Sequence, residues 1–313
     1  MLDAVHPQVR ALLEAMASDG EPAPADLAAE RAEYLDATLR LGGAAEPVAS
    51  AVDLVVPHGE IRLPARLYAP QHAAETGSVI VWLHGGGWYV GDIPTFDRVA
   101  RSLANASGAK VLLVEYRLAP ELRWPVQVAD ADATVAWVRS EVGARQLGID
   151  PAHVVLGGDS AGGQLAVVAA RHARTDGRPP LRALLLAYPA LDPTLESASY
   201  RRFADGPLLT RADMRRCWDF YLDGAGAGDP DAAPLLATDH DGLPPTWVAV
   251  AELDPVRDDG LRLAAALRAG GIGVQERTFD GLVHGFLRWG GVVDAAGELI
   301  AWFGDAARET AGI

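Results

Sequence analysis

A serine stands among small residues at Gly157-Gly158-Asp159-Ser160-Ala161-Gly162-Gly163, directly after the apolar run Val154–Leu156 and directly before a helix-like run. A chain passing from strand to helix with almost no residues between must turn sharply, and such crowding tolerates only small neighbours, here Gly158 and Gly162. The central side chain then projects from the top of the strand at a helix N-terminus, where free N–H groups and the helix dipole favour a developing anion. A Gly-x-Ser-x-Gly turn between strand and helix is the elbow of a serine nucleophile. The competing chemistry, a phosphate-cradling glycine turn, lacks its lysine here, and Asp159 would repel the phosphate.

A serine hydroxyl attacks an acyl carbon only with a base to take its proton and donors to hold the oxyanion. His84-Gly85-Gly86-Gly87-Trp88 follows the run Val79–Leu83, and consecutive glycines leave main-chain N–H groups free to converge on one point. Gly86, Gly87 and Ala161 are therefore the candidate oxyanion donors, and His84 reads as a brace for that loop. Eight histidines compete for the role of base. Only His172, His240 and His284 follow Ser160, and proteins with this elbow carry their triad in the order serine, acid, histidine. His172 falls late in the helix after the elbow and His240 in an Asp-rich loop. His284 lies on a glycine-flanked loop after the last expected strand and is the candidate base. The acid that orients it belongs at the C-terminal end of the strand Trp247–Ala251, which selects Asp254 over Glu252, Asp258, Asp259 and Asp280. Asp258 and Asp259 read as caps of the helix that follows.

These side chains need a sheet to hold them. Two alternating runs, Val52–Val56 and Ile61–Tyr68, flank the turn His58-Gly59 and predict an antiparallel edge pair. Continuous apolar runs follow at Val79–Leu83, Val111–Val114, Val154–Leu156, Leu184–Ala187 and Trp247–Ala251, as strands buried on both faces require. Helix-like segments separate them (Phe96–Ala106, Val126–Val142, Ala161–Arg174, Leu261–Leu267), and a strand Val274–Phe279 and a helix near Val292–Ala307 close the chain. The alternation predicts a mostly parallel eight-stranded sheet flanked by helices on both faces. About 45 N-terminal residues read as helical, with Val9, Leu12, Leu13 and Met16, then Leu27, Ala28, Leu35, Leu39 and Leu41, on either side of the breakers Pro22 and Pro24. Residues 192–223 interrupt the alternation with a helical, aromatic insertion. With the N-terminal helices it predicts a lid over the C-terminal end of the sheet. Trp88, Phe203, Leu208, Leu209, Trp218, Tyr221 and Phe286 are its candidate pocket walls.

Composition narrows the partners. The chain has 313 residues, 27 Lys and Arg against 42 Asp and Glu, and a net charge of −15. That balance disfavours a nucleic-acid or anionic-membrane partner. The single cysteine, Cys217, excludes an intramolecular disulfide and a thiolate zinc cluster. The N-terminus lacks the basic and long apolar regions of a signal peptide, so a cytoplasmic protein is expected.

Taken together, the chain resembles the bacterial hormone-sensitive-lipase-like carboxylesterases of the α/β-hydrolase fold. The resemblance rests on His84-Gly85-Gly86-Gly87-Trp88, Tyr116-Arg117-Leu118-Ala119-Pro120-Glu121, Gly158-Asp159-Ser160-Ala161-Gly162-Gly163, Asp254-Pro255-Val256-Arg257-Asp258-Asp259-Gly260 and His284-Gly285-Phe286, in family order over some 200 residues. Gly206-Pro207-Leu208-Leu209-Thr210 is similar to the family's cap insertion. Glu115 and Leu122-Arg123-Trp124-Pro125 depart from the usual pattern. The resemblance implies a helical cap made of residues 1–45 and the insertion, on a catalytic domain 46–313. It implies a Ser160–His284–Asp254 triad, an oxyanion hole of Gly86, Gly87 and Ala161, and hydrolysis of short- to medium-chain acyl esters without metal or organic cofactor. It also implies a homodimer through a sheet edge. A lactone or amide hydrolase would share the same triad. A non-catalytic ligand-binding protein of the same fold, as among plant gibberellin receptors, would lack the histidine that is present here.

Overall fold

A computed structural model describes residues 4–19, 26–74 and 77–311; Pro22 and Pro24 lie outside them. After two N-terminal helices, Pro7–Asp19 (α1) and Leu27–Leu41 (α2), strands Ser50–His58 (β1) and Ile61–Ala69 (β2) pair antiparallel across the Gly59 turn. The next strands are Val79–Leu83 (β3), Lys110–Val114 (β4), Val154–Asp159 (β5), Ala183–Ala187 (β6), Thr246–Ala251 (β7) and Val274–Phe279 (β8). They make one eight-stranded sheet in the order β1-β2-β4-β3-β5-β6-β7-β8, antiparallel at β1–β2 and β2–β4 and parallel elsewhere.

Every residue of β3, β5, β6 and β7 is buried, which explains why their runs are apolar without alternation. Successive side chains of β3 serve opposite faces. Val79, Val81 and Leu83 pack with Val126–Val138 (α4), Ala161–Ala173 (α6) and Arg257–Ala269 (α9), whereas Ile80 and Trp82 pack with Ile93–Ser107 (α3) and Asp294–Ala311 (α10). The strand order reverses at β3, which lies between β4 and β5. At such a switch point the loops leaving neighbouring strands diverge and open a crevice at the C-terminal edge. The loop after β3 and the turn after β5 both empty into it.

Two helix boundaries differ from the periodicity. The expected helix 126–142 breaks at Arg139. Ser140 Oγ accepts the Gly143 N–H (3.1 Å) and starts a separate helix, Glu141–Leu147 (α5), while the Arg139 guanidinium turns inward to Asp176 and to the Pro179 carbonyl. Helix α9 begins four residues before the expected Leu261 because Arg257–Gly260 join it. Within the insertion lie two helices, Ala198–Arg202 (α7) and Arg211–Leu222 (α8). The second is closed at its N-terminus by a capping box in which Thr210 and Asp213 exchange hydrogen bonds.

The tightest packing is at the β5–α6 turn. A Cβ on Gly162 would lie 1.9 Å from the Leu83 carbonyl oxygen, and one on Gly158 would lie 2.5 Å from the Gly162 backbone. Gly162→Ala must therefore push β3 and α6 apart, and a loss of about 3 kcal/mol or more is expected in chemical denaturation. Gly297, in α10 and with open space around a would-be Cβ, is the control. Its replacement by Ala should stabilise by about 0.5–1 kcal/mol through helix propensity.

Candidate active site

Ser160 occupies the turn between β5 and α6 with φ 51° and ψ −117°, a conformation costing a non-glycine residue about 1–3 kcal/mol. Neighbouring backbone holds it there. Its N–H donates to the Ala187 carbonyl (2.9 Å), and its carbonyl accepts from Gln164 and Ala190 (3.2 Å each). The hydroxyl therefore stands at a set position, with Ala161 as the first residue of α6 behind it.

His284 reaches the same point from the loop after β8. Its Nε2 lies 2.8 Å from Ser160 Oγ, and its Nδ1 lies 2.7 Å from Asp254 Oδ2. With Nδ1–H given to the carboxylate, Nε2 is left as the acceptor toward the hydroxyl. Asp254 follows β7 and is fully buried; its second oxygen accepts the Val256 N–H at 2.8 Å. The structure thus brings Ser160, His284 and Asp254 into one hydrogen-bonded line.

The glycine loop after β3 forms the facing wall. Gly86 (φ 119°) and Gly87 (φ 55°) adopt backbone angles that side chains disfavour, and a Cβ on Gly86 would strike the Val90 carbonyl at 2.2 Å. Asp159 holds this loop. Its buried carboxylate accepts the Gly85 N–H (2.9 Å) and the Trp82 indole N–H (3.3 Å). His84 is buried between Tyr116 and Phe96 (ring centroids 4.4 and 5.4 Å), and Tyr116 donates its hydroxyl to the His84 carbonyl.

Gly86, Gly87, Ser160 and His284 line a cavity of about 490 Å3. Tyr34, Ala37 and Leu41 of α2 close it from one side, and Leu208, Leu209, Met214 and Cys217 of the insertion from another. Burial pushes the Cys217 thiol up to about 12, so it remains protonated at neutral pH. Five expected wall residues do not face this space. The positive φ of Trp88 turns its indole away to donate to Gln164 Oε1 (3.1 Å), and there it stacks on Tyr221 (4.4 Å) and meets Trp218 at a tilt (4.3 Å). Phe286 packs behind Tyr188 and against Phe279, and Phe203 lies in the core beneath Arg202 and Arg257. Large aromatic rings on the insertion bury most area by packing on the domain below, which leaves the aliphatic residues at the cavity.

The competing titratable groups are occupied elsewhere. His172 sits between Asp132 (2.8 Å) and Asp231 (3.1 Å), which raise its pKa. Asp258 and Asp259 do not cap α9. Asp258 accepts the Ser199 N–H (2.8 Å), and buried Asp259 accepts those of Leu191 (2.9 Å) and Asp192 (3.1 Å), so both fasten the insertion. Glu252 accepts the Gly281 N–H (2.7 Å). Among the described residues no cluster of His, Cys, Asp and Glu is spaced to hold a metal ion, and no helix is long and apolar enough to cross a membrane.

Comparison with known proteins shows the family. A profile describing the alpha/beta hydrolase fold matches residues 80–288. The carboxylesterase NlhH of Mycobacterium tuberculosis is 38% identical over 240 residues, 75% of each chain. An ethyl acetate hydrolase of Pseudomonas putida is 34% identical over 241 residues, again 75% of each. The solved structure of an ester hydrolase from the Lake Arreo metagenome superposes with a TM-score of 0.91 at 32% identity, covering 98% of both chains. The chain belongs to the hormone-sensitive-lipase-like carboxylesterases of the α/β-hydrolase fold. It is a carboxylic ester hydrolase.

Several residues around the site of this esterase carry no motif. Tyr188 directly follows β6, with its ring centroid 4.7 Å from that of His284; its place at a strand C-terminus is the signal that could have found it. Glu30 of α2 receives Arg216 of α8 through two hydrogen bonds (2.8 and 2.6 Å) and the Tyr89 hydroxyl (2.5 Å), which joins both covering segments to the glycine loop. Arg216 holds the Glu30 carboxyl below the usual carboxylate range. No local pattern announces that pair, because its members lie 186 residues apart.

Two buried groups give this esterase opposed pH responses. Burial pushes Asp159 up to about 6, so from about 3.9 to about 6 the folded state binds more protons, and this group's contribution to stability falls as pH rises. Burial pushes His84 down to about 4, so between about 6.5 and about 4 the unfolded state binds more protons and stability falls as pH drops. Asp159→Asn keeps an acceptor for the Gly85 N–H but removes the first response. Its melting temperature should fall more steeply than that of the wild type between pH 6 and pH 4; parallel curves would contradict the assignment.

Proposed function

We propose that this protein is a serine carboxylesterase of short- to medium-chain acyl esters, with Ser160 as nucleophile, His284 as base and acid, and Asp254 as its orienting carboxylate. The observation that carries the reading is the imidazole held 2.8 Å from Ser160 Oγ and 2.7 Å from Asp254 Oδ2. Nε2 takes the hydroxyl proton as Oγ bonds to the ester carbonyl carbon, and Asp254 balances the imidazolium that forms. The carbonyl oxygen, now an anion, rests on the N–H groups of Gly86, Gly87 and Ala161, each worth about 2.7–4 kcal/mol of barrier when aimed at it. The imidazolium returns its proton to the departing alkoxide as the C–O bond breaks, leaving an acyl-serine. Water, deprotonated by His284, attacks that acyl carbon, and Ser160 leaves with its proton restored.

The fixed loop supports this assignment, since donors held by Asp159 and by glycine geometry need no reorganisation when charge develops. Residues 192–223 and the N-terminal helices act as the cap, and the cavity of about 490 Å3 that the insertion and α2 close lies within the range of small-molecule sites. Its aliphatic walls, Leu208 and Leu209 among them, favour an apolar substituent. A cytoplasmic location and a homodimer through a sheet edge complete the reading, the homodimer supported by family resemblance.

Ser160→Ala should lower ester turnover by about 10⁴-fold or more and abolish covalent labelling by a fluorophosphonate, with the melting temperature retained. Asp254→Asn should cost about 10⁴-fold in kcat by removing the carboxylate that fixes the tautomer. Across p-nitrophenyl esters of graded chain length, kcat/KM should peak at short to medium acyl groups. Persistent labelling of Ser160→Ala would overturn the nucleophile assignment.

A further inference from the structure

We propose that Arg288 is a substrate anchor, and that this esterase prefers esters whose alcohol portion carries a carboxylate. The inference rests on the reading of Ser160 and His284 given above and extends it to substrate class. Arg288 lies four residues after His284, at the end of the short 3-10 turn Phe286–Arg288, and its side chain lines the cavity. Two residues of α2 hold the guanidinium. Its carbon lies 4.1 Å over the Tyr34 ring of α2, and one nitrogen donates to Thr38 Oγ1. Among the described residues no carboxylate is within ion-pair distance of it.

The other charges at the cavity are accounted for. Arg216, its second cation, is bound by Glu30; Asp213 is spent on the Thr210 cap; Asp159 points to Gly85 and Trp82. Glu33 is exposed to solvent. A half-buried guanidinium facing a cavity, with planar donors in excess of its partners, is suited to receive a carboxylate through charge-assisted hydrogen bonds. The net charge of −15 does not forbid this, because charges more than about 8–10 Å away are screened at physiological salt while a contact pair is not.

Position selects the alcohol side. The second terminal nitrogen of Arg288 lies 3.5 Å from where a Cβ on Gly285 would stand, directly beside His284. The imidazole must hand its proton to the departing alkoxide, so the alcohol portion passes on the histidine side of the reacting carbon. A carboxylate there comes within reach of the guanidinium.

The test compares 3-carboxyphenyl acetate with its uncharged analogue 3-carbamoylphenyl acetate, and monophenyl succinate with phenyl succinamate, in wild type, Arg288→Met and Arg288→Lys. Dividing kcat/KM of each acid by that of its amide cancels general effects on catalysis. The wild type should favour the carboxylate in the first pair. Arg288→Met should lower that ratio by about 10- to 100-fold, the loss expected for a charge-assisted hydrogen bond. Arg288→Lys, which keeps a cation but loses the planar fork, should recover part of it. An unchanged ratio in Arg288→Met, or a preference confined to the succinate pair, overturns the proposal. If the wild type hydrolyses neither amide-bearing ester, the ester-hydrolase reading fails instead. If Arg288 only braced Thr38 and Tyr34, Arg288→Met would lower acid and amide turnover together and leave the ratio in place, which also overturns it.

Discussion

The geometry at the sheet edge depends on one close approach, that of the β5–α6 turn to the end of β3. Gly162 lies so near the Leu83 carbonyl that no side-chain carbon fits between them. That contact brings the Ser160 turn and the glycine loop within reach of each other without any flexible linker. Two buried acceptors reinforce it, Asp159 taking the Gly85 N–H and the His84 carbonyl taking the Tyr116 hydroxyl. The strained backbone of Ser160 is thereby over-determined by its surroundings, the condition under which such strain persists.

The acidic residues at this edge serve a common structural purpose. Asp254 holds Val256, Glu252 holds Gly281, Asp258 holds Ser199, and Asp259 holds Leu191 and Asp192, in each case through main-chain N–H groups. Loop N–H groups have no strand partner, and a carboxylate that accepts one or two of them offsets the cost of burying both. One consequence is mechanical. The loop that carries Asp254 and the insertion that covers the cavity hang from the same turn of α9, so a displacement of one strains the other. The Glu30–Arg216 pair then ties the insertion to α2 across the cavity.

The cavity combines aliphatic walls with unevenly distributed charge. Leu208, Leu209, Met214 and Leu41 put apolar surface around the cavity, and electrostatic interactions are stronger beside such surface than in bulk water. In that setting the pairing of each charge matters more than the protein's overall acidity. Glu30 and Arg216 neutralise one another at the junction of the two covering segments, whereas Arg288, also at the cavity, has no ion-pair partner among the described residues.

Local chemistry made much of this protein legible in the sequence. The runs Val79–Leu83 and Val154–Leu156 announce strands buried on both faces, the alternating Val52–Val56 and Ile61–Tyr68 an edge pair, and the small residues around Ser160 a tight strand-to-helix turn. Each is written in consecutive residues because strand burial and tight turns are constraints on neighbours. Chain order and strand-end position likewise single out His284 and Asp254. The tertiary structure alone decided the rest. Trp88 points away from the cavity because its backbone φ is positive. Asp258 and Asp259 bind the insertion rather than cap their own helix, since partners 59 to 68 residues away offer N–H groups that need them more. Arg288, Tyr188 and the Glu30–Arg216 pair acquire their roles by convergence of distant segments. Such convergence leaves no spacing to read, because the distance between two side chains across a fold is set by how helices settle on the sheet and not by the number of residues between them.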